Sequence, residues 1–179
     1  KREMKARIHA HRADDIMTAI RVLEEFNIDY VIEHCTEGFM IADILAEKKV
    51  KATVGPLLMS RSKMEIINTT LKNPGILARA GVKVAIQCDT SSGTKWLALH
   101  AGLAVREGMC PEEALKAITI NPAEILGLDH RLGSLEPGKD ADVVIWSGHP
   151  FCTMTVAEKV FIDGQLAHER KDVCQYSCH

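Results

Sequence analysis

The sequence predicts an α/β fold, with parallel βα units over residues 1–128 and a small β appendage over 129–170. Three observations carry this. Short apolar, partly β-branched runs alternate four times with segments of helical periodicity, the pattern of parallel strands joined by crossover helices. One of these runs, Val82 to Thr90, is bounded by Gly81 in front and Ser91-Ser92-Gly93 behind. It turns polar at its end, as a buried strand does where it leaves a sheet. After Leu128 the chain becomes punctuated by Gly and Pro, with Asp163-Gly164 inside a later strand-like run, a strong hairpin signal.

The elements follow in order. Lys5 to Ala10 is a short mixed strand, and Ala13 to Phe26 places Ile16, Ala19, Ile20, Leu23 and Phe26 at helical spacing. Asp14 and Asp15 stand in its first turn, where the helix dipole favours them. Tyr30 to Glu33 is a second strand ending at His34, and Phe39 to Lys48 a helix with Ile41, Ile44 and Leu45 on one face. Val50 to Val54 is a third strand closed by Gly55-Pro56; a loop and a helix over Lys63 to Leu71 come next. Asn73-Pro74 opens a short helix through Ala80, with Asn as cap and Pro at the first helical position. The fourth strand, Val82 to Thr90, leads into a helix from Thr94 to Glu107, and helices over Pro111 to Thr119 and from Asn121-Pro122 to Leu126 pack outside the sheet. The appendage holds Val143 to Trp146 and a strand pair from Val156 to Arg170.

With 179 residues, a net charge of -2, 46% hydrophobic and 26% charged residues, the chain has the balance of one good globular core. Near-neutral charge without a basic stripe excludes nucleic acid as the main partner, and no apolar run approaches the roughly 18 residues of a membrane span. Cys35, Cys88, Cys110 and Cys152 sit in or beside regular elements rather than in a dense framework, so the cysteines are expected to be mostly reduced and the compartment cytoplasmic. The tail, 171–179, with Cys174, Cys178 and His179, matches no usual zinc spacing and is expected to be disordered.

Chemistry concentrates at strand ends. His9 ends the first strand, His34 the second and Asp89 the fourth, and in a parallel sheet all three side chains emerge at one rim. Two neutral imidazoles and a carboxylate with an open position suit a divalent transition metal, Zn2+ above all. Asp89 can touch the ion and carry the proton of an activated water. His11, two residues beyond His9, points the same way and is an alternative ligand. Glu33 and Glu37 bracket His34 and read as supports for its ring or as solvent contacts. Arg12, Arg61 and Thr90, on loops after the strands, are the substrate-binding candidates. Trp96 and His100 read as packing residues, and His130, His149 and His168 as surface residues.

The runs Ile8-His-Ala-His-Arg12 and Val31-Ile-Glu-His-Cys-Thr-Glu-Gly38, the strand ending at Asp89, Asn121-Pro-Ala-Glu-Ile-Leu-Gly127 and the stretch Gly133 to Trp146 together resemble the C-terminal half of a metal-dependent amidohydrolase, in the branch of imidazolonepropionase and prolidase-like enzymes. The resemblance covers the chain to about Arg170; the segment Asn121 to Trp146 is specific, the separate histidines are not. It implies strands five to eight of a (β/α)8 TIM-type barrel plus part of a small β-sandwich. It also implies that His9, His34 and Asp89 are the ligands of strands five, six and eight. Spacing agrees, since one βα unit separates His9 from His34 and two separate His34 from Asp89. Departures are Cys35 where relatives usually have glycine, Cys88 where Thr is common, and Thr90 in place of a frequent His.

The resemblance implies a hydrolase that cleaves the C–N bond of a small amide by metal-activated water. The alternative is a barrel-derived structural or interaction module that has lost its chemistry. Four strands leave two open sheet edges, so either a homo-oligomer or an N-terminal half preceding Lys1 is expected.

Overall fold

The computed structural model describes residues 4–171. Four parallel strands form one sheet in the order β1-β2-β3-β4: β1 Ala6–Ala10, β2 Tyr30–His34, β3 Lys51–Val54 and β4 Lys83–Ile86. Their carboxyl ends are level, because Ala10 pairs with His34, His34 with Val54, and Val54 with Ile86. The helices between them are α1 Ala13–Glu25, α2 Ala42–Glu47 and α3 Asn73–Ala80, and α4 Leu97–Arg106, α5 Pro111–Ala117 and α6 Ile120–Leu126 follow β4.

Strand alternation sends Ile32, Ala52, Val54, Val84 and Ile86 toward the helices. There they join Ile16, Ile20, Leu45 and Leu77, all fully or almost fully buried, in the main core. This is why the helical stripe read from the sequence is correct for α1: Ile16, Ile20 and Leu23 are its buried residues. The opposite face combines a small second core of Val31, Ala85 and Ile125 with polar groups. Arg7 reaches Glu33 at 2.7 Å, Glu33 accepts a hydrogen bond from the Thr53 hydroxyl, and Lys51 and Lys83 are register partners.

The appended sheet is antiparallel, in the order β5-β6-β7, with β5 Val143–Trp146, β6 Ala157–Ile162 and β7 Gln165–Glu169. Its hairpin turns at Asp163 (φ 50°) and Gly164 (φ 74°), the left-handed pair that a two-residue turn requires. Phe151, in the connection before β6, packs on the main core.

Four expectations need correction. The segment 63–71 is not a helix but a 3-10 turn, Met64–Ile66, because Thr69 turns its amide and hydroxyl back onto the carbonyl of Ile66 and competes with helical bonding. The fourth strand stops at Ile86, so Cys88 and Asp89 lie in the loop beyond it. Asn73 does not cap α3, since its side chain is buried and bonded elsewhere. Cys152 is disulfide-bonded; it lies in a surface turn outside the packed sheet, where a thiol is accessible, while Cys35, Cys88 and Cys110 are free. No helix among the described residues is long and apolar enough to cross a membrane. The tail residues Cys174, Cys178 and His179 lie outside the described residues.

Candidate metal centre

His9, His11 and His34 converge at the carboxyl rim. One ring nitrogen of each lies within 4.8 Å of the others. Their ring centroids are 4.7 Å apart for His9 and His11, 4.4 Å for His9 and His34, and 4.7 Å for His11 and His34. His9 is exposed on the polar face of β1, whereas His11 and His34 are buried.

Backbone geometry aims these rings. His34 and the following Cys35 both adopt left-handed conformations, with φ 66° and 47°, which non-glycine residues rarely do. The chain therefore turns sharply where β2 ends, and the amide of Cys35 still reaches the carbonyl of Ala10 at 3.0 Å. At Cys35 a glycine would take this conformation without strain. Asn73 fastens the turn from beneath, its Nδ2 donating to the carbonyls of Cys35 (2.8 Å) and Thr36 (3.2 Å).

Each buried imidazole is held by Nδ1 and presents Nε2. His34 Nδ1 donates to the carbonyl oxygen of Gly55 at 2.7 Å. His11 Nδ1 bonds the Thr36 hydroxyl at 2.7 Å. Burial, reinforced by neighbouring His34 and His9, pushes His11 down to about 4, so it is neutral at pH 7 and its ring can offer a lone pair.

Two carboxylates face these nitrogens. Asp89 Oδ2 lies 3.9 Å from His34 Nε2, and Glu65 Oε1 lies 4.0 Å from His11 Nε2. Two donors about 2.1 Å from one ion at a tetrahedral angle stand roughly 3.4 Å apart, so both spacings are too long for a direct hydrogen bond and close to what a shared ion needs. The donor set, imidazoles and carboxylates at one mouth, fits a divalent transition metal.

The other candidates are placed differently. Arg12 is exposed and clamps Asp14 through Nε at 3.0 Å and Nη2 at 3.1 Å. Arg61 donates to the carbonyl of Thr69 at 3.0 Å and lines an open cavity of about 350 Å³ with Leu57, Met59, Ser60 and Leu71. Thr90 accepts the amide of Gly93 through its hydroxyl at 2.9 Å, holding the turn after Asp89. Glu33 and Glu37 do not orient His34: Glu33 serves Arg7 and Thr53. Glu37 accepts from the Ala13 amide and from Asn68 Nδ2, both at 2.8 Å. His100 is buried in α4, and His130, His149 and His168 are exposed. Sequence reasoning missed Glu65 and the Gly55 carbonyl. The one available signal was the long connection after β3, which places residues over the rim.

A crystal structure of an amidohydrolase from Thermotoga maritima MSB8 superposes with a TM-score of 0.91 at 49% identity, over 94% of this chain and 44% of that one. The imidazolonepropionase of Thermoplasma acidophilum is 31% identical over 153 residues, 82% of this chain and 35% of that protein. That of Geobacillus kaustophilus is 48% identical over 75 residues, 40% of this chain and 18% of that protein. A Xaa-Pro dipeptidase with bound methionine shares the fold, with a TM-score of 0.70 at 24% identity, over 93% of this chain and 45% of that one. The chain thus spans less than half the length of the relatives it matches. Residues 2–167 match the profile of the amidohydrolase family, and the chain belongs to that family.

Proposed function

We propose that this chain carries the carboxyl-terminal half of the active site of a zinc-type hydrolase that cleaves a C–N bond in a small linear or cyclic amide. In this reading β1 to β4 are strands five to eight of a (β/α)8 barrel, residues 1–128 belong to the barrel and 129–170 to its β-sandwich. His34 and Asp89 hold the ion together with His9, or with His11 in its place. The observation that carries the reading is the convergence of three histidines at the rim with Asp89 3.9 Å from His34 Nε2.

A bound divalent ion of this kind lowers the pKa of its water to about 7 and polarises a carbonyl oxygen. The remaining work falls to the chain. Asp89 is largely exposed, so its carboxylate can accept a proton from water and return it to the departing nitrogen. His34, fixed by Gly55, keeps its Nε2 lone pair directed at the rim. In this reading Arg61, which lines the open cavity of the connection after β3, meets a carboxylate of the substrate, and Thr90 shapes the turn that presents Asp89. Arg12 stands at the same mouth, its charge partly engaged by Asp14.

The test is Asp89→Asn, assayed on a panel of small cyclic and linear amides with metal content measured alongside. Turnover should vanish while the fold and its melting temperature stay as in the wild type. Near-normal turnover in the variant rejects the role of Asp89. A purified wild-type chain that carries and accepts no metal favours the module that has lost its chemistry.

A further inference from the structure

We propose that Glu65 is a further protein ligand of the rim centre, supplied by the connection between β3 and α3; this rests on the metal reading above. Its Oε1 lies 4.0 Å from Nε2 of His11, mirroring the 3.9 Å between Asp89 Oδ2 and Nε2 of His34. Each buried imidazole thus turns its free nitrogen to a carboxylate from a different element.

Glu65 is not a stray loop residue. It sits in the 3-10 turn Met64–Ile66, whose Ile66 is 2% exposed and packs inward. The turn is pinned on its far side: Thr69 bonds the Ile66 carbonyl through its amide at 3.1 Å and its hydroxyl at 2.6 Å, and neighbouring Asn68 donates to buried Glu37 at 2.8 Å. Lys63 Nζ stands 3.4 Å from the same Glu65 oxygen. That amine is exposed on a flexible stem and can leave for solvent when a stronger cation arrives.

Charge balance supports the assignment. Imidazole ligands carry no negative charge, so with Asp89 alone a dication would keep one uncompensated positive charge in a partly buried site, which is costly. Asp89 and Glu65 together neutralise it. Two imidazoles with Asp89 and Glu65 offer four donors, which leaves zinc or cobalt a position for water.

The experiment titrates the metal-free chain with Co2+, followed by its visible absorption, and with Zn2+, followed by calorimetry. Wild type is compared with Glu65→Gln, which keeps the shape and removes the charge. Glu65→Gln should weaken both ions by at least about tenfold and change the cobalt absorption band, with an unchanged melting temperature of the metal-free chain. Unchanged affinity overturns the proposal. So does weaker binding with an unchanged cobalt spectrum, because that is the signature of a distant charge rather than a ligand. If wild type binds neither ion, the metal reading itself fails, a result separable from failure of Glu65 alone.

Discussion

The Nδ1 of His34 lies 2.7 Å from the carbonyl oxygen of Gly55, and a carbonyl can only accept. Nδ1 of that imidazole therefore carries a proton, which in the neutral ring leaves the lone pair on Nε2, on the side of Asp89. Gly55 presents this carbonyl from φ +136°, a conformation that residues with a Cβ rarely adopt. The ligand state of one histidine is set by the backbone of a residue 21 positions away.

Gly55→Ala tests that coupling. A Cβ there would stand 2.2 Å from the backbone oxygen of Gln87, so β3 and β4 cannot keep their present approach. The strained φ alone costs about 1–3 kcal/mol, and the clash adds to it. Urea unfolding should show a loss of at least that size, and metal affinity should fall with it. A midpoint equal to wild type would show that the carbonyl is not held as described.

Asn73 gives a second test, because its amide donates to two buried carbonyls at the end of β2. Asn73→Ala takes the side-chain donor from the Thr36 carbonyl, at roughly 1–3 kcal/mol, and leaves the Cys35 carbonyl with the Gly38 amide at 2.9 Å. Asn73→Asp is isosteric yet replaces the donor with an oxygen facing those carbonyls, so it should be the less stable of the two. Equal midpoints for Ala and Asp would remove this account of the turn.

The sequence was readable where chemistry is local. The change from apolar to polar at His34 marked the end of β2, the one at Asp89 overran the end of β4 at Ile86, and intervening helices implied the parallel pairing that the sheet has. Asn73 was misread because capping is a local rule, whereas its amide is used 38 residues away by the carbonyl of Cys35. Glu65 was invisible for a related reason. The apolar spacing of 63–71 resembles a helix, and only side-chain bonds from Thr69 back to Ile66 break it. The tautomer of His34 depends on a backbone contact between strands, which no spacing encodes.

His100 predicts how stability responds to pH. It is 2% exposed, its Nδ1 accepts the amide of Leu57 at 3.2 Å, and burial holds it below the usual histidine range. The unfolded chain protonates near the ordinary value of about 6.5, while the folded chain resists. Its contribution is therefore complete above that value and is lost as pH falls below it, with a slope of up to about 1.4 kcal/mol per pH unit. Melting temperatures should drop between pH 7.5 and 5.5, and less so in His100→Gln. An identical slope in that variant would assign the effect to other groups, among which His11 in the metal-free chain shifts the same way.

The thiols should separate by accessibility. Burial pushes Cys35 up to about 12 and raises Cys88 more modestly, whereas Cys110 is exposed just before α5. Only a thiolate reacts with Ellman's reagent, so Cys110 should label first, Cys88 more slowly, and Cys35 only as fast as the protein opens. Peptide mass spectrometry at timed quenches resolves the three. Cys35 is enclosed by the Asn73-fastened turn and lies against Gly38, where a Cβ would come within 2.5 Å of its Sγ. Its labelling rate therefore reports the integrity of the segment that positions His34. Labelling of Cys35 at the rate of Cys110 in the native chain would mean that this end of β2 is open in solution, and Asn73→Ala should move Cys35 in that direction before it affects Cys110.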